Sequence, residues 1–105
     1  MTTFADLSSP MALMRLLAVD HPDLPAPHVG VSPHFPHRLT LSVHGDLRGF
    51  EAWREALGID PGEVRHNTQS GGTTVVLTGS TTVADAHVEL VGYAPNLALV
   101  VEAVA

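Results

Sequence analysis

Residues 38–93, RLTLSVHGDLRGFEAWREALGIDPGEVRHNTQSGGTTVVLTGSTTVADAHVELVGY, decide the fold. The stretch opens with an alternation in which Leu39, Leu41 and Val43 point one way and Arg38, Thr40, Ser42 and His44 the other. That is the pattern of a half-buried antiparallel strand. The period then changes. Leu47, Phe50, Trp53 and Leu57 recur at helical spacing, with Arg48, Glu51, Arg54 and Glu55 on the wet side, so a helix capped by Asp46 is predicted through Leu57. Gly58 supplies a left-handed residue after it, Ile59 folds back onto the last turn, and Pro61 prevents continuation.

Beyond that helix the signal is again β. Glu63 to Gln69 reads as a short strand and Ser70-Gly71-Gly72 as a turn. Thr73 to Thr78 is rich in Val and Thr, and Gly79-Ser80 falls where a hairpin turn is expected. Thr81 to Tyr93 then runs extended, with Ala86, Val88 and Leu90 on one face and His87, Glu89 and Val91 on the other. The tail from Asn96 to Val104 fits two readings. Leu97, Val100, Val101 and Val104 match a C-terminal helix capped by Asn96, and the valines match a strand equally well.

Working outward to the N-terminus, Ser9-Pro10 makes a good helix start, and Met11, Leu13, Met14, Leu16 and Leu17 follow at helical spacing. Pro22 ends that helix near Asp20. A start at Thr3, with Asp6 completing a capping pattern, is the other reading. Residues 21–37, HPDLPAPHVGVSPHFPH, are Pro-rich and therefore extended, with Val29 and Val31 as a short strand confined to a sheet edge. The whole is one domain over residues 1–105. Its order predicts an α+β fold: a two-layer sandwich whose antiparallel sheet of about four strands carries two helices on one face.

The 105 residues include no cysteine, which excludes disulfides, thiolate nucleophiles and Cys-based zinc sites. The N-terminal segment lacks a basic region, and Pro10 and Arg15 interrupt its apolar run, so neither a signal peptide nor a membrane span is expected. A cytoplasmic protein is the resulting expectation. The formal net charge is −6, and all five cationic side chains are arginines scattered from Arg15 to Arg65. Direct nucleic-acid binding, which needs cations gathered on one face, is not expected.

The seven histidines are the compositional oddity. His34, His37 and His44 are the candidate metal ligands, with His28 near them in sequence, because imidazole nitrogens plus water can complete a zinc site. Their spacing is loose and lies on Pro-rich chain, so surface histidines are the simpler reading. Asp85 and His87, two apart on an expected strand, share a face as half of a general-base pair. Ser42, Thr74, Ser80 and Thr82 offer hydroxyls, but no nucleophile elbow frames any of them. SGGTT lacks the Lys-Ser/Thr ending of a phosphate loop and leads into a strand, so it reads as a plain turn.

The runs FEAWREALGID, QSGGTTVVLTG and VELVGY resemble small proteins of high-GC actinobacteria. The resemblance covers the later part of the chain and implies no activity, and no functional residue is carried over from it. With no catalytic signature and no cofactor implied, the expected function is a non-enzymatic protein-binding module, regulatory or accessory and self-associating as a homodimer. Trp53, Leu97 and Val101 are its candidate contact residues, because Trp is enriched at interface centres and an exposed apolar tail would be sticky. The alternative is a small His-dependent metal-binding protein or enzyme using the histidines between residues 28 and 44.

Overall fold

The computed structural model describes residues 1–45 and 47–96. A 3-10 turn, Phe4–Leu7, leads directly into helix α1, Ser8–Asp20. Strands β1, His28–Ser32, and β2, Phe35–His44, follow. Helix α2, Leu47–Leu57, comes next, and a second 3-10 turn, Pro61–Glu63, precedes β3, Arg65–Gln69. Strands β4, Thr74–Val83, and β5, Ala86–Pro95, complete the described chain.

The strands form one mixed sheet in the order β1-β2-β5-β4-β3. This corrects the expectation of an antiparallel sheet of about four strands. The pairs β1 with β2, β3 with β4, and β4 with β5 are antiparallel as short turns require. The central pair, β2 with β5, is parallel, Leu39 lying against Val88 and Leu41 against Leu90. The reason is α2, which carries the chain from the end of β2 over to the far edge. The β3-β4-β5 meander then walks back until its last strand meets β2 in the same direction.

Helix α1 starts at Ser8, next to the expected Ser9-Pro10 start, and the Thr3 capping pattern opens the 3-10 turn before it. The Thr3 N–H donates to Asp6 Oδ2 at 2.8 Å. Pro10 sits in the first α-helical turn, where a missing N–H costs nothing. Helix α2 ends as its sequence predicts. Gly58, at φ 73°, donates to Glu55 O at 3.1 Å, and Ile59 N–H donates to Arg54 O at 3.0 Å, a Schellman pair. Arg54 Nη1 donates in turn to Ile59 O at 2.7 Å. The expected cap at Asp46 lies outside the described residues, as does the tail from Leu97 onward.

Two turns differ from expectation. Gly79-Ser80 is not a hairpin turn but the middle of β4. Gly79 is there for packing: a Cβ on it would stand 3.1 Å from Ile59 Cγ2. The β4–β5 turn is instead Ala84-Asp85, both left-handed at φ 48° and 66°, as a two-residue hairpin of the primed type needs.

Both helices lie on one face of the sheet. Leu13 and Leu17 of α1 and Phe50, Trp53 and Leu57 of α2 pack with Leu39, Leu41, Val43, Leu77, Val88 and Leu90 into a single core. Phe50 sits directly on Gly92, where an added Cβ would come within 2.7 Å of its ring. No buried polar side chain lacks a partner among the described residues.

Candidate functional site

The Pro-rich segment between α1 and β1 builds an apolar concavity. His21 N–H closes α1 onto Leu17 O at 2.9 Å, and Leu24 N–H then bonds to His21 O at 3.3 Å, turning the chain back. Prolines 22, 25 and 27 hold the segment extended. Leu24 packs on the core. Trp53 fastens the segment from below, its indole N–H donating to Pro25 O at 2.8 Å. The tryptophan is thus a buried strut, 5% exposed, which joins α2 to a loop far away in sequence.

Between α1, this segment and β1 lies an apolar groove of about 240 Å³. Leu17, Leu41 and Trp53 line it from the core, while Met14, Ala18 and Val29 stand on its sides. His21 is the one ionisable residue along it. The volume exceeds what a single aromatic ring needs, since a cavity of roughly 150 Å³ binds benzene. It falls short of the roughly 300–1,000 Å³ of ordinary cofactor and ligand pockets. One or two apolar side chains fit it. The rim is apolar too: Met14 is 39% and Val29 44% exposed. Leu16 and Val19 continue apolar surface around the outer side of α1.

The other face of the sheet has no described element over it. Alternation and register put Arg38, Thr40, Ser42 and His44 of β2 on this face beside His87, Glu89, Val91 and Tyr93 of β5. At one end Arg38 lies over the Phe35 ring, 4.3 Å from its centroid, and 3.8 Å from Glu89. At the other end three rings form a row across the strands. His28 meets His44 edge to face at 5.0 Å, and His44 stacks on Tyr93 at 4.7 Å and 11°.

The three candidate metal ligands therefore do not converge. His34 lies in the turn between β1 and β2, where its N–H donates to Ser32 Oγ at 3.2 Å. His37 stands near the start of β2 and His44 at its end, on opposite faces. Seven residues of strand separate those two by roughly 23 Å. Among the described residues no three His, Cys, Asp or Glu side chains could share a metal ion. His28 is the histidine that meets one of the set, and only the cross-strand register, with His28 opposite Ser42, could have revealed it.

The Asp85–His87 pair also dissolves. Asp85 is in the turn rather than on the strand, and the residue across from His87 is Thr82. Ser70-Gly71-Gly72 forms the expected turn, closed by Gly72 N–H to Gln69 O at 3.2 Å. Asn96 braces it, donating from Nδ2 to Gly72 O at 2.8 Å. Leu97 and Val101 lie outside the described residues. Among the described residues no helix is long and apolar enough to cross a membrane. Comparisons with protein-family models, curated proteins and solved structures find no match.

Proposed function

We propose that this chain is a non-enzymatic module of the cytoplasm, regulatory or accessory in role, that works by binding protein through the groove beside α1. Its first occupant is a second copy of the same chain. The observation that carries the reading is the groove itself: apolar along its floor and sides, sized for side chains, and rimmed by exposed Met14 and Val29. An exposed apolar surface around a concavity is what partner contacts cover. In a two-fold dimer each copy offers the same patch, so Met14, Val29 and Val19 of one copy would meet the same surface of the other.

Edge pairing of β1 is the less favourable route. β1 is short, flanked by Pro27 and Pro33, and its register shifts between Gly30 and Ser32. Prolines and bulges are the features that keep sheet edges apart. The test is sedimentation equilibrium over a concentration series. The wild type should dimerise, and Met14→Glu with Val29→Glu should shift it to monomer while its circular dichroism stays unchanged. A wild type that remains monomeric at high micromolar concentration would overturn the reading.

A further inference from the structure

The row of rings on the uncovered sheet face carries an inference separate from the groove. We propose that His28 and His44 form a surface site for a late first-row divalent transition metal, copper(II) being held most tightly. The ligands are the two imidazoles, with water completing the coordination.

The geometry starts from the register. His28 stands opposite Ser42, and His44 lies two residues further on the same face, so the two side chains are diagonal neighbours across the β1–β2 ladder. Their ring centroids are 5.0 Å apart. A metal bound to imidazole nitrogen at about 2.0–2.1 Å lies roughly 3.2 Å from each ring centroid. Two such rings then stand about 4.5 Å apart at a right angle and about 5.2 Å apart at the tetrahedral angle. The observed separation falls between these values, so the backbone already holds the pair at chelating distance.

The interplanar angle of 82° has one ring edge against the face of the other. Chelation requires one of them to turn. His44 stacks on Tyr93, a contact that turning its ring would break. His28 lies on the edge strand and is exposed, so it is the ring that turns, with no core packing to resist it. The chemistry selects the metal. Two neutral imidazoles and no thiolate suit copper, nickel and zinc, and the general order of divalent affinities puts copper first. The net charge of −6 favours any cation at the surface. Arg48, which borders His44 on its other side, opposes it weakly, because its guanidinium is exposed to water.

The test uses the untagged full chain and copper(II), titrated against a chelator of known affinity, with residue-resolved NMR to locate the metal. One copper per chain should bind, broadening signals at residues 28, 44 and 93 first. His28→Ala should weaken binding by about tenfold or more, and so should His44→Phe. The phenylalanine keeps a ring on Tyr93 while removing the nitrogen, so a loss there is not a loss of fold. His34→Ala with His37→Ala should leave affinity within about twofold. Broadening centred on residues 34 and 37, or a His44→Phe variant that binds as tightly as the wild type, would overturn the proposal.

Discussion

The two faces of the sheet are made by the same strands and differ in almost everything else. On the helix side Leu39, Leu41, Val88 and Leu90 are sealed beneath α1 and α2. On the other side their immediate neighbours Arg38, Thr40, His87 and Glu89 face outward with no described element over them. Yet the uncovered face is not loose. Val91 is only 7% exposed there, fenced by Ser42 on one side and Thr78 on the other. A strand pair in the middle of a sheet shields its own central residue without a second layer. What the helices add is dryness for a continuous block of side chains, and most of the stability follows that block.

The contrast can be broken most severely from the covered side. Leu90→Ala removes a side chain that is fully buried. It should cost about 2–5 kcal/mol in urea unfolding, because the sheet cannot collapse into the space it leaves. Gly92→Ala tests the same layer by adding one atom instead. Its Cβ would meet Phe50 Cδ2 at 2.7 Å, and Phe50 has no free space to retreat into. A loss of about 1–3 kcal/mol is expected, read as a lower urea midpoint at unchanged slope. The smallest effect belongs to the uncovered face. Glu89→Gln breaks the half-exposed ion pair with Arg38, 3.8 Å long, and should move stability by less than about 1 kcal/mol. If Glu89→Gln cost as much as Gly92→Ala, the two faces would not differ in the way described.

The parts legible in the sequence are those whose causes are local. Helix α2 announces itself because its stripe, its Gly58 and its Pro61 all lie within one short segment, and the structure repeats them except at Leu47, which is 45% exposed. β2 is legible because alternation is a property of consecutive residues. Gly79 misleads for the opposite reason. As a local signal it suggests a turn, while its actual constraint comes from Ile59, brought against it by tertiary packing. Ala84-Asp85 gives no turn signal, since alanine is a poor left-handed residue, and the hairpin register imposes the conformation.

The candidate sites divide along the same line. The groove could not be read, because Met14, Leu24, Val29, Leu41 and Trp53 meet only in the fold. Trp53 is recognisable in sequence as a core residue, but its bond to Pro25 O is not. The histidines stand out at once. Which of them meet depends on register, and register separates His37 from His44 while joining His44 to His28.

The parallel pairing of β2 with β5 also sets the order in which the chain can become a protein. β2 is made early, and its partner Ala86–Pro95 is the last strand of the described chain. While the ribosome works from one to the other, Leu39, Leu41 and Val43 have only β1 and the two helices for company. The meander β3-β4-β5 is built of neighbouring segments and can close by itself. The sheet is unified only when β5 slots between β4 and β2, a long-range step of the kind that slows folding. Until then the nascent chain carries a hydrophobic strand with one edge open, the sort of surface that chaperones recognise and that aggregates when they are absent.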